Sequence, residues 1–320
     1  MTSRLRSRLV DACLLAALAA PALAQDPPPP APAGGRPPVE NPQEPAPEAE
    51  KKPGPLVRLT AWPKPANKEA LLVDVERLVK MRTEEMGVQA HDALVATGAG
   101  AVPFLLERYG KEKDVDVADR MHAVLVELTT AEHTRLLARE FEGKHGPART
   151  FALWRVAAFP DAEVRPAAEA AWARLEKQGA KADPEELYAA ALCCAATGST
   201  RGLDALFSAA QNRWDKHGVE IRNALEGCRG PEATKLVLAK LDAADAAKDR
   251  KQKVAVLRLL AGAGEASATP RVRWFLDDDD NSVKIAAINA LRGIVDRQGP
   301  LEQLSAFEAI ETAKKWKSRV

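Results

Sequence analysis

The chain has 320 residues, of which 46% are apolar and only 5% aromatic, with Ala and Leu supplying most of the apolar content. That composition favours helices in close contact over sheets, which draw on β-branched and aromatic residues. Lys and Arg number 46 against 45 Asp and Glu, an even mixture that excludes the basic footprint a nucleic-acid binder needs.

The N-terminus reads as an export signal over residues 1–24. Arg4, Arg6 and Arg8 form a positive region, Ala12 to Ala20 a short apolar run, and Ala22-Leu23-Ala24 a small-x-small cleavage site before Gln25. The run is too short to span a bilayer, which takes roughly 20 residues. The mature protein is expected in the periplasm, outside the cell or on the envelope, with no membrane span after cleavage.

Residues 25–66 form a second compositional zone, rich in Pro, Ala and Glu and opening with Pro27-Pro28-Pro29-Pro30. It has too little apolar content to offset chain entropy, so it is expected to be a disordered, extended linker. Trp62-Pro63-Lys64-Pro65 is expected to dock on the first helix of the body that follows.

From residue 67 to 320 the pattern is helix after helix. Breaks recur at Gly98, Thr129-Thr130, Pro160, Gly198, Gly230, Gly264 and Gly299, spaced 31 to 38 residues apart. A period in that range marks stacked helical hairpins. Around Gly98, Gly198, Gly230 and Gly264 an apolar helix, a glycine and a second amphipathic helix follow in order. A second signature starts helices. Asp161-Ala162-Glu163-Val164-Arg165 precedes Ala167, Ala168, Ala171 and Trp172. Asp280-Asn281-Ser282-Val283-Lys284 precedes Ala286, Ala287, Ala290 and Leu291 at the same spacings. The aspartate caps the helix, the branched residue begins the buried stripe, and the alanines let neighbouring helices approach. Val164-Arg165 should mark the first helix of a hairpin. The stretch from Gly146 to Phe159 also reads as a first helix, so a degenerate hairpin is expected in the 38-residue interval.

These motifs, Asp-x-x-Val-Arg/Lys followed by x-Ala-Ala-x-x-Ala-Leu, resemble the HEAT repeat, in the short form also seen in bilin-lyase-type proteins. The resemblance covers roughly 68–318 and is sharpest at 161–172 and 280–291. It implies an all-α fold, an α-solenoid in which antiparallel hairpins stack into a right-handed superhelix. A capping helix of about Pro300 to Lys317 is expected to end it.

Chemistry-bearing residues are sparse. Cys193, Cys194 and Cys228 remain after export. Cys194 and Cys228 lie 34 residues apart, about one repeat, so a disulfide between them stands beside the alternative of three small buried groups. His91, His122, His133, His145 and His217 show no ligand spacing and read as helix-surface residues, so no metal is expected. Asp277 to Asp280 lacks the glycine and glutamate of a calcium loop and reads as a turn with an N-cap. No nucleotide-binding or nucleophile motif occurs, so no cofactor and no catalysis are expected.

In HEAT-like arrays the second helix of each hairpin lines the concave face. The resemblance therefore implies a candidate protein-binding face made of Glu107, Arg108, Lys111, Arg135, Arg139, Arg201, Asp204, Lys235, Lys240, Arg271 and Arg273. Trp274 is expected to be buried against the next hairpin; exposed, it would be an interface anchor. The expected function is an exported scaffold that binds another protein or peptide. The alternatives are a wall component tethered by the Pro-rich segment and a small-molecule-handling or lyase-like protein.

Overall fold

The computed structural model describes residues 58–301 and 303–320. The expected export signal, 1–24, and the linker up to residue 57 lie outside them. Within them the chain is all-helical, with no strand. The helices are α1 (Lys68–Val79), α2 (Glu84–Thr97), α3 (Val102–Lys111), α4 (Val115–Leu128), α5 (Thr134–Leu137), α6 (Gly146–Ala158), α7 (Arg165–Gln178) and α8 (Pro184–Ala196). They continue with α9 (Leu203–Asn212), α10 (Trp214–Gly227), α11 (Pro231–Ala246), α12 (Arg250–Ala263), α13 (Thr269–Trp274), α14 (Asn281–Leu291) and α15 (Ala306–Arg319).

Polar residues before an apolar stripe set the starts. Asn67, Thr83, Asp114, Asp183, Asp249, Asp280 and Ser305 each accept a hydrogen bond from a first-turn backbone N–H. Each such cap stabilises its helix by about 1 kcal/mol. Arginines satisfy several ends. Arg120 on α4 donates to the Leu78 and Val79 carbonyls that end α1. Arg155 on α6 donates to the Val126 and Thr129 carbonyls that end α4. Arg165 donates to Thr197 after α8, and Arg229 to Ala261 and Gly264 at the end of α12. These carbonyls have no partner within their own helix, so a neighbour must supply one.

The even-numbered helices pack in series: α6 on α8, α8 on α10, α10 on α12 and α12 on α14. Between them α7 lies on α8, α9 on α8, α10 and α12, α11 on α12, and α13 on α14. At the two ends, α1 and α2 pack on each other and on α4, while α15 packs on α14. Helix α8 is enclosed by α6, α7, α9 and α10, and every residue from Tyr188 to Ala196 is buried. Its run of alanines and cysteines makes that possible, because a helix hemmed in on all sides must be apolar all round and narrow. One side of α8 (Ala189, Ala190, Cys193, Cys194) joins the core that runs back to Leu71. The other (Tyr188, Ala191, Leu192, Ala195) joins the core that runs on to Trp316. Close approach recurs at α12, where a Cβ on Gly262 would lie 2.7 Å from the Leu225 Cβ of α10.

Three expectations are corrected here. Trp62 does not dock on α1. It stacks on His133 with ring centroids 5.3 Å apart, while Leu59 N–H donates to the Glu132 carbonyl and Arg58 pairs with Asp161 at 3.0 Å. Residues 58–62 are thus bound to the region around α5. The irregular element is not in the 38-residue interval either. The shortest helix is α5, a single turn running into a tight 3-10 turn, Ala138–Glu142, whose Leu136, Leu137 and Phe141 still reach the core; α13, six residues between two 3-10 turns, is a second short one. Finally, the two best copies of the start signature occupy different places: Val164-Arg165 opens α7, which lies on α8, whereas Val283-Lys284 lies in α14, which stacks on α12. The signature specifies a capped helix with a small-residue stripe, and either position accepts one.

Candidate functional site

The charges of the candidate face sit where the helix pattern put them, on α3, α5, α9, α11 and α13 or the turns beside them. Most are engaged with one another. On α3, Lys111 donates to Glu107 and Arg108 pairs with Glu112 at 2.7 Å. The Lys111 ammonium holds the Glu107 carboxyl below its ordinary pKa. Arg135 pairs with Asp161 and Glu163, both at 2.7 Å, and its hydrogen bond to Asp161 raises its pKa. Arg139, in the 3-10 turn after α5, donates to the Thr60 carbonyl.

Further along, the pairs link successive odd-numbered helices. Arg201 lies 3.8 Å from Glu169 of α7. Asp204 of α9 pairs with Lys240 of α11. Arg271 of α13 bridges Asp242 and Asp245 of α11 at 2.7 and 2.8 Å. Partial burial opposes the Arg271 charge, but the two carboxylates outweigh it and raise its pKa. Arg273 donates to the Lys317 carbonyl of α15. Lys235, exposed on α11, makes no ion pair among the described residues. The structure therefore brings Asp204, Lys240 and Arg271 into one inter-helix ladder. Glu107, Arg108 and Lys111 form a separate group on α3, and Arg135 and Arg139 a third beside residues 58–60.

Trp274 departs from expectation. It is 71% exposed, with the Arg271 guanidinium 5.1 Å from its ring centroid. Helix α13 is short, and Val272, Phe275 and Leu276 take its core-facing positions, so Trp274 points away from them.

The expected alternative of a Cys194–Cys228 disulfide is not formed; Cys193, Cys194 and Cys228 are free and buried. Cys194 belongs to the core on one side of α8, whereas Cys228 caps α10 within the core on the other side, its thiol donating to the Leu225 carbonyl. Burial pushes the Cys194 thiol up to about 12 and Cys228 up to about 11, so neither is a ready thiolate nucleophile.

The histidines correct the surface reading, since His122, His133 and His217 are buried. His122 packs edge-on to Phe151, and burial lowers its pKa to about 4. His217 belongs to a buried knot with Tyr188 and Glu220 that no motif marks. Tyr188 of α8 lies over the His217 ring at 4.7 Å, and the Tyr188 hydroxyl and His217 Nδ1 both meet Glu220 Oε2, at 3.4 and 3.2 Å. Burial raises the Glu220 pKa. The spacing of His217 and Glu220, three apart on α10, was a visible signal; the arrival of Tyr188 was not. Tyr188 and His217 are sealed in the α8–α10 contact, where a substrate cannot reach them. Glu186 is likewise buried, held by Arg149 of α6 at 2.7 and 2.8 Å and by Arg174 of α7 at 2.6 Å. Among the described residues no group of three His, Cys, Asp or Glu is placed to hold a metal. Asp280 serves as the cap of α14, its carboxyl held at about 2, chiefly by Ser282.

No protein-family model, no curated protein and no solved structure matches this chain.

Proposed function

We propose that this chain is a HEAT-like α-solenoid that works outside the cytoplasm as a scaffold, binding a partner protein or peptide along its odd-numbered helices. The serial packing of the even-numbered helices supports the solenoid reading, as do the ion pairs that join α9 to α11 and α11 to α13 in succession. The observation that carries the binding reading is Trp274, a large exposed aromatic beside an arginine. Such pairs supply most of the energy of protein interfaces. The ion-pair ladder favours a partner recognised by shape and apolar contact, since charges already neutralised in place offer little to a polyanion. The lyase-like alternative would be favoured by an exposed cysteine or a closed pocket, and Cys193, Cys194 and Cys228 are all buried.

The test is site-specific photo-crosslinking of the exported protein in its own cells, with the photoreactive residue at Arg273 or, as control, at Val219, which is exposed on α10. One protein species captured from position 273 and not from 219, and reduced about tenfold or more by Trp274→Ala, is the expected result. Equal capture from both positions, or capture indifferent to Trp274→Ala, would overturn the reading.

A further inference from the structure

Residues 58–62 lie on the body as a peptide lies in a binding site. Two contacts use the backbone: Leu59 N–H donates to the Glu132 carbonyl, and Arg139 donates to the Thr60 carbonyl, both at 2.9 Å. Two more use side chains. Arg58 pairs with Asp161 at 3.0 Å and donates to the Ala131 carbonyl at 2.9 Å, and Trp62 stacks on His133 with the rings 11° from parallel. Backbone contacts give a peptide site affinity for any sequence, while side-chain contacts give it selectivity. No residue from Arg58 to Lys64 is fully buried.

The body holds its half of the site without help from the segment. Arg135 pairs with Asp161 at 2.7 Å and reaches Glu163 as well. Thr130 N–H donates to His133 Nδ1 at 3.1 Å, which fixes the ring as a platform. If the segment lifts off, Asp161 therefore keeps a partner, and the Glu132 carbonyl passes to water on an exposed residue. Trp62 packs against the edge of the core from a half-buried position, so its departure opens no cavity inside. A site organised before its ligand arrives loses little in ordering when one binds.

We propose that this groove beside α5 is a peptide-binding site, that residues 58–62 are its resident occupant, and that it accepts from a partner protein a segment with an arginine and, four positions later, a tryptophan. The resident competes with that partner. Tethered next to its site, it is present at an effective concentration in roughly the millimolar range, so a partner segment enters only as the resident leaves. The groove lies at α5 and Trp274 on α13. The inference thus goes beyond the scaffold reading, and either can fail alone.

The experiment is fluorescence anisotropy of a labelled peptide copying residues 58–66, added to the full chain. With Arg58→Ala and Trp62→Ala in the chain, the groove loses its resident, and the peptide should bind at least about tenfold more tightly than to the unaltered chain. Arg139→Ala added to that variant should weaken binding about fivefold. A peptide of otherwise unrelated sequence should bind as the copy does if its arginine and tryptophan keep their spacing, and a copy with alanine at both should not bind. Amide hydrogen exchange of the unaltered chain answers the same question without a variant. The Leu59 amide should exchange at least about a hundredfold faster than the amides of α8, because lifting the segment is a local opening. A double variant that binds no more tightly than the unaltered chain would overturn the proposal. So would binding that needs neither anchor residue, or a Leu59 amide as protected as those of α8.

Discussion

The stretch from α4 to α8 and the stretch from α11 to α15 solve the same problem of joining neighbouring helices by different chemistry. In the first, charged and polar side chains go inside: His122, Thr129, His133, Arg155, Asp161 and Glu186 are all buried. In the second, Thr234 is the one fully buried polar side chain among the described residues, and the charged links lie at or just below the surface. The difference follows from helix regularity. Between the end of α4 and the single turn of α5 the chain changes direction inside the packing, and Arg155 reaches in to satisfy the Val126 and Thr129 carbonyls there. Where α11, α12 and α14 run uninterrupted, Ala and Leu stripes suffice. Buried ionic groups are therefore the mark of the irregular half.

The most severe way to break that contrast is Glu186→Ala. It strands the Arg149 and Arg174 guanidinia against each other inside the α6–α7–α8 contact. Removing one partner of a buried ionic group costs about 3–5 kcal/mol. Urea denaturation should show a loss of that size, and a loss below about 1 kcal/mol would mean that water reaches the site.

Next comes acid. His122 titrates near 4 in the folded chain, well below the 6.5 of a free histidine. Between those values the unfolded chain takes up a proton that the folded chain refuses, so stability falls as pH drops from 6.5 towards 4. Full development of that difference is worth at most about 3–4 kcal/mol. His122→Leu should flatten the pH dependence across this window; an unchanged slope would place the titrating group elsewhere.

The smallest effect belongs to the other half. Arg271→Ala cuts both links to α11 and the contact with Trp274, yet the two carboxylates it meets are each more than a third exposed and screened by solvent. The expected loss is under about 1 kcal/mol, shrinking further in high salt. A loss comparable to that of Glu186→Ala would erase the distinction between the two halves.

Much of the helical architecture was legible. The Ala-Leu composition and the 31 to 38-residue spacing of breaks predicted helices throughout, and Asp280 caps α14 as its motif implied. What escaped depended on long-range geometry. The Arg149–Glu186–Arg174 cluster gathers residues 37 and 12 positions apart, which no local pattern marks. The start signature at Asp161 reads the same as the one at Asp280 because both describe one helix, and neither encodes which neighbours that helix will meet. Trp274 looked like core because tryptophan usually is; its exposure follows from the brevity of α13, a boundary that periodicity locates poorly. The sequence placed these charges on helices but could not give their pairings, since pairs such as Asp204 with Lys240 connect different helices.

The arginines that close helix ends carry a consequence for how such a chain can change over generations. Arg120 and Arg155 each complete a helix that came earlier in the chain, and Arg165 and Arg229 each complete one still to come. The ends of α1, α4, α8 and α12 are thus each finished by a residue from elsewhere in the chain. Excising one of these helices by recombination would orphan carbonyls in the pieces on either side, and duplicating one would leave two arginines competing for a single helix end. With this wiring, gaining or losing one of these helices disturbs its neighbours more than a point substitution at an exposed position does.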